Sequence, residues 1–198
     1  MRTLQEAAHE ASDCTKCRLS GGRTQVVYGT GNPDADLMFI GEGPGYYEDK
    51  QGEPFVGAAG QLLNTMLEEI GVRRADVRIT NVILCRPPGN RDPMPDEVET
   101  CTPWLREQIA LVDPRVIVTL GNFASRFMLD KPVSISRVRG QRFPLEGRTV
   151  IPTFHPAAIL RGGGEASTQM AALRSDFQEI KRALAEIPEP VEEQLGLF

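Results

Sequence analysis

Apolar runs and glycine-bearing polar stretches alternate along the chain and divide it into strand–helix units. Four short runs dominated by apolar residues read as buried strands: Leu37-Met38-Phe39-Ile40, Val77–Leu84, Arg115–Leu120 and Thr149–Phe154. Near-continuous apolar runs, rather than strict alternation, are the pattern of strands covered on both faces. Between them, apolar positions recur at helical spacing. Leu62, Leu63, Met66, Leu67 and Ile70 form one such stripe, stopped by Gly71. Further helices are expected over residues 2–12, from Asp96 to about Val112, and from Gly121-Asn122 to about Leu129. Residues 20–35 are glycine-rich and irregular. Pro87, Pro88, Pro93 and Pro95 keep residues 86–95 out of helix and sheet. The stretch 131–148 reads as loops or a hairpin. Strands alternating with helices predict an α/β domain.

Open parallel sheets bind ligands in the crevice beyond the carboxyl ends of their strands. After the first strand comes Gly41-Glu42-Gly43-Pro44-Gly45, continuing through Tyr46-Tyr47-Glu48-Asp49 to Pro54-Phe55-Val56-Gly57. Glycines at this density let the backbone approach a ligand closely. The loop is not a phosphate loop: it lacks the lysine, and Glu42 would repel a phosphate. A carboxylate held in a tight turn suits activation or steering of a water. The competing reading is an ordinary strand-to-helix turn. After the fourth strand comes His155-Pro156, where the proline holds the histidine in an extended or turn conformation. Asn81 lies in the second strand, and its amide both donates and accepts, as reading a base edge requires. Ile159-Leu160-Arg161 precedes three glycines, an apolar wedge beside a cation of the kind an intercalating loop needs.

The 198 residues suffice for one large domain, or one domain and a tail. No run approaches the roughly 18 apolar residues of a membrane span. The amino terminus is polar and helical, so the chain is expected in the cytoplasm, where cysteines stay reduced. Net charge is −5, which argues against nucleic acid. Its distribution softens that argument, because residues 165–198 hold seven of the 27 acids and only three of the 22 bases. Lys131, Arg137, Arg139, Arg142, Arg148 and Arg161 face a single acid, Glu146, within 131–161. Such a patch is either a phosphate site or a solvated surface. Cys14, Cys17, Cys85 and Cys101 are spaced C-x2-C, 67 residues, C-x15-C. Four thiolates suit a tetrahedral zinc or an iron–sulfur cluster, and the spacing leaves both open. If the cysteines share one group, the loop between Cys85 and Cys101 is clamped at both ends and presents Arg86 and Arg91 outward.

Taken in order, these motifs resemble family 4 uracil-DNA glycosylases, the iron–sulfur type, over roughly residues 10–185. The resemblance rests on Gly41–Gly45, Pro54–Gly57, Asn81, the four cysteines and His155-Pro156-Ala157. It implies a three-layer α/β/α sandwich around a four-stranded parallel sheet, and a [4Fe-4S] cluster on Cys14, Cys17, Cys85 and Cys101. The implied activity is excision of uracil from DNA. In that reading Phe55 stacks on the base, Asn81 bonds its O4 and N3–H, and His155 donates to O2. Backbone N–H groups near Gly41 and Gly43 assist, Glu42 handles water, and Glu48 or Tyr47, with Glu48 favoured, excludes thymine. Arg86, Arg91, Ile159, Leu160 and Arg161 would contact DNA. A related branch bonds covalently to its substrate through a histidine-bearing loop. The segment between Cys85 and Cys101 has no histidine, so turnover is expected. Alternatives are a glycosylase for another deaminated base such as hypoxanthine, or a non-enzymatic iron–sulfur DNA-binding protein.

The domain is expected to end at residue 186. Residues 187–198 read as an acidic, proline-rich linker and then Gln194-Leu195-Gly196-Leu197-Phe198. That ending is similar to the bacterial sliding-clamp binding peptide, in which Gln194 makes polar contacts while Leu195, Leu197 and Phe198 supply the apolar anchor. A monomer is expected.

Overall fold

The computed structural model describes residues 2–187. In chain order the elements are α1 (Leu4–Ser12), β1 (Thr30–Gly31), β2 (Leu37–Gly41), α2 (Tyr46–Gln51), α3 (Ala58–Glu69), β3 (Arg78–Asn81) and α4 (Pro95–Val112). They continue as β4 (Val116–Leu120), α5 (Gly121–Leu129), α6 (Ile135–Val138), β5 (Phe143–Leu145), β6 (Arg148–Thr153), α7 (Pro156–Arg161) and α8 (Thr168–Ala185). One sheet runs in the order β1-β3-β2-β4-β6-β5. Its inner strands β3, β2, β4 and β6 are mutually parallel, as the four apolar runs suggest. The sheet is larger than the expected four strands, because β1 and β5 add antiparallel edges. These extra strands are two and three residues long, too short to leave a periodic signal.

Strand side chains alternate between faces, and the two faces have separate cores. Phe39, Ile79, Val118 and Ile151 pack with Leu63, Met66, Leu67, Phe177 and Ile180 of α3 and α8. Met38, Ile40, Ile117 and Val150 pack with Leu105, Ala124 and Met128 of α4 and α5. The result is an α/β/α sandwich, with α1 lying outside α4 through Ala7, Ala11 and Trp104. No helix among the described residues is long and apolar enough to cross a membrane.

The chain goes from β2 to β3 on one side and then to β4 on the other, so the order reverses between β2 and β4. That reversal opens a crevice at the carboxyl ends of these strands. On the β6 flank, Asp176 of α8 is buried and accepts from Thr153 Oγ1 at 2.6 Å and from Arg139 at 2.9 and 2.5 Å. This ties α8 to the strand end from which His155 emerges. Two more arginines of the expected basic patch are also paired. Arg142 bonds Glu179 and Glu186, and Arg148 bonds Asp113. Arg139, Arg142 and Arg148 therefore help to hold segment 131–148 to the fold, through partners that lie far along the chain.

Asp176→Ala strands a partly buried guanidinium and should cost about 3–5 kcal/mol. The expected readout is a lower urea midpoint at unchanged slope. Arg142→Ala removes a more exposed pair and should cost under about 1 kcal/mol in the same measurement.

Candidate active site

The crevice is a cleft of about 640 Å3, within the usual range for small-molecule sites. Its floor starts from one register. Gly41 of β2 sits opposite Asn81 of β3, and Asn81 shares the α3 face with Ile79. A Cβ on Gly41 would lie 2.4 Å from Asn81 Oδ1 and 2.8 Å from Phe55 Cζ. The glycine is required here for space. Asn81 is largely buried, yet it lines the cleft.

Phe55 has φ 55°, in the left-handed region that a bulky residue rarely adopts. Such a conformation costs about 1–3 kcal/mol and persists where its surroundings over-determine it. Three restraints do so. Glu48 accepts from the N–H groups of Val56 and Gly57 at 3.1 and 3.2 Å. Arg74 donates to the Pro54 carbonyl at 2.7 Å. Gly60 lets α3 press against the turn, since a Cβ there would lie 1.7 Å from the Phe55 carbonyl oxygen.

His155 caps α7, its Nδ1 accepting from the Ala157 N–H at 3.1 Å. The ring proton therefore resides on Nε2, and the imidazole lines the cleft. Burial, reinforced by the charge of Arg161 and opposed by Glu48, lowers its pKa to about 4. At neutral pH His155 is an uncharged donor. Its ring stacks on Phe55 with centroids 5.6 Å apart. Gly121, at φ +91°, follows β4 and brings its backbone close to His155, where a Cβ would meet the histidine Cβ at 3.1 Å. Across the cleft Glu42 is half-buried, and burial with the neighbouring charge of Asp92 raises its pKa. The β2–β3 ladder continues past the strand end, Val82 and Ile83 donating to the carbonyls of Gly41 and Glu42, so Glu42 is held by backbone on both sides.

A second, small cavity is lined by Cys14, Cys17, Cys85 and Cys101 together. All four are free thiols. The Leu84 N–H donates to Cys101 Sγ at 3.3 Å and Arg23 to Cys85 Sγ at 3.5 Å, the donors a thiolate needs. Among the described residues no group of three or more Cys, His, Asp or Glu is arranged to hold a single metal ion.

Residues 28–181 match the model of the uracil DNA glycosylase superfamily. The chain is 48% identical to a type-4 uracil-DNA glycosylase of Archaeoglobus fulgidus, over 81% of this chain and 84% of that protein. It is 50% identical to the type-4 enzyme of Thermotoga maritima over 80% and 83% of the two chains. For that of Sulfurisphaera tokodaii the identity is 43%, over 91% and 84%. The chain belongs to the uracil DNA glycosylase superfamily. Its similarity is to the type-4 branch.

In this superfamily member, Glu42, Gly43, Glu48, Phe55, Asn81 and His155 all line one cleft, though they come from three separate stretches. Several expectations need correction. Gly41 provides space behind the wall rather than lining it. Tyr47 is 62% exposed and stands outside the cleft, which leaves Glu48 as the side chain of that pair facing inward. Ile159 is fully buried in the α3–α8 core and is not a wedge. It lies on a helix, α7, where neighbouring side chains point about 100° apart, so only Leu160 and Arg161 reach solvent. Arg91 does not present a free charge, because its guanidinium forks onto the buried Glu97 at 2.9 and 2.6 Å. Arg86 is half-buried, bonded to Asn90 at 2.7 Å and lying over the Tyr46 ring. Gln194, Leu195, Leu197 and Phe198 lie outside the described residues. Sequence reasoning missed Asp92, which acts on Glu42 from the neighbouring loop. It also missed Asn122, which lines the cleft and accepts from the Ile135 N–H at 2.8 Å. Asn122 follows a strand end as Glu42 and His155 do, and that position was its available signal.

Gly41→Ala should lose most ligand affinity, seen as a raised KM, and should melt at a lower temperature because overpacking costs about 1–3 kcal/mol. His155 supplies a second test. Its folded pKa of about 4 lies below the unfolded value near 6.5. The unfolded chain therefore binds the proton first, and stability falls as pH drops through that window. His155→Gln should lack this component, so its stability should vary less between pH 6.5 and pH 4 than that of the natural chain.

Proposed function

We propose that this chain is a monofunctional uracil-DNA glycosylase. It takes a uracil turned out of DNA and hydrolyses the bond between base and sugar, leaving an abasic site for repair. The observation that carries the reading is the Asn81 carboxamide, which lines the cleft beside the Phe55 ring. A base cannot be attacked inside the duplex, so it must be extruded into the cleft. Phe55 stacks on the pyrimidine. Asn81 donates to O4 and accepts from N3–H. Cytosine offers a 4-amino group and a bare N3, so both bonds fail and buried polar groups are left unpaired, which is strongly discriminating.

Cleavage leaves negative charge on the base and cationic character on the sugar. His155 donates from Nε2 to O2 as that charge develops, and a neutral donor fixed by its Nδ1 bond does so without reorganisation. The Gly43 backbone borders the same region. Glu42 holds the water and favours the cationic sugar. Glu48, fixed by Val56 and Gly57, bounds the C5 edge where the thymine methyl would sit. Leu160 and Arg161 fill the gap left by the extruded base, and Arg86 meets a phosphate.

A [4Fe-4S] cluster on Cys14, Cys17, Cys85 and Cys101 belongs to the same reading. Four thiols bordering one cavity supply the ligand set such a cluster needs. When bound, it would tie the amino-terminal segment to the loop after Asn81. Residues 1–186 form the glycosylase domain, followed by a tail whose Gln194-Leu195-Gly196-Leu197-Phe198 anchors a monomer to the sliding clamp. A chromosomal substrate puts the chain in the cytoplasm.

The test is alkali-induced strand cleavage of a labelled oligonucleotide holding one uracil, beside thymine and hypoxanthine controls. Cleavage at uracil alone is expected, and none from cluster-loaded protein would overturn the reading. Glu42→Gln should lower kcat by about 10²–10⁴-fold. The Asp92 charge raises the Glu42 pKa, so Asp92→Asn should move the acid limb of the kcat/KM profile to lower pH. Cys101→Ala should lose visible absorbance and bound iron and melt at a lower temperature.

A further inference from the structure

Two large aromatic side chains stand in solvent at the lip of the cleft. Tyr46 is 50% exposed and Tyr47 62% exposed, at the first two positions of α2. Their rings meet edge to face, with centroids 5.4 Å apart and planes at 85°. Cations border them: the Arg86 guanidinium lies 5.1 Å and the Lys50 ammonium 5.9 Å from the Tyr46 ring centroid. Neither tyrosine hydroxyl makes a hydrogen bond among the described residues. The pair is continuous with the site, since Gly45 just before it and Glu48 just after it both line the cleft. The fold gains little from either ring: at these positions polar side chains would form the helix as well and be better hydrated.

Flat π-faces rimmed by positive charge are what single-stranded nucleic acid recognises, with bases stacking and phosphates meeting the cations. The β2 and β3 loops carry this platform on one flank of the crevice, while Leu160 and Arg161 stand on the β6 flank. A strand crossing the cleft with its uracil extruded therefore has its next base over the tyrosines. In a duplex that base is already stacked and paired. We infer that Tyr46 and Tyr47 form a stacking platform for the unpaired base flanking the extruded uracil, and that it favours single-stranded DNA. This rests on the proposed glycosylase reading of the cleft.

The experiment compares Tyr46→Ala, Tyr47→Ala and the corresponding phenylalanine variants on uracil-containing single strands and duplexes. Stacking of one base predicts a loss of about fivefold to a hundredfold in kcat/KM on single strands for the alanine variants. The loss should fall mainly on KM, be smaller on duplex, and be restored by phenylalanine. Replacing the flanking nucleotide on one side of uracil by an abasic spacer should erase the difference between the natural chain and Tyr47→Ala. A difference that persists with a spacer on either side overturns the platform, as does equal loss on both strand types. Anisotropy with a uracil-free single strand reads the platform without the chemistry. Weakened binding in the alanine variants, with no uracil cleavage by the natural chain, keeps the platform and overturns the glycosylase reading. Normal cleavage with unweakened single-strand binding overturns the platform and leaves the glycosylase reading standing.

Discussion

The pairing of Gly41 with Asn81 is the constraint on which the cleft depends. Two parallel strands put these residues side by side on the α3 face, and the missing side chain of one makes room for the carboxamide of the other. Any Cβ at Gly41 would displace both Asn81 and the Phe55 ring. The site is thus built around an atom that is absent, and its shape is fixed by a strand register. A shift of one residue would turn Asn81 toward the opposite core.

The loop that supplies Phe55 shows how strain is sustained. Its left-handed backbone is unfavourable alone, yet Glu48, Arg74 and Gly60 come from three different elements and each restrains the turn. The Glu48 carboxylate both fixes the loop and faces the cleft, so the wall and its support are one group. His155 follows the same logic. A single backbone bond to Nδ1 chooses its tautomer and leaves Nε2 as the donor. Preorganisation of this kind is what makes polar groups effective against charge that develops only during reaction.

The strands and the residues at their carboxyl ends were legible because buried parallel strands read as apolar runs, and Glu42, Asn81 and His155 interrupt or end them. The cysteines were legible because they are few. Edge strands β1 and β5 were not, being too short for any period to register. Arg91 looked free because its partner Glu97 sits beyond Pro93 and Pro95, and only the folded loop brings them together. Ile159 and Leu160 are alike in sequence. Only the orientation of α7 decides that one enters the core while the other meets solvent.

The pairing of so many arginines with carboxylates has a consequence for how the chain holds DNA. Each phosphate neutralised by a free cation releases condensed counterions and steepens the fall of affinity with salt. Arg91, Arg139, Arg142 and Arg148 already have acidic partners, so they have little net charge to exchange for those ions. The salt-dependent contacts then fall to a few cations at the rim of the cleft, such as Arg86 and Lys50 beside Tyr46. A repair protein of this kind would shed few counterions, and its grip would fade more gradually with salt than that of one relying on a broad basic surface.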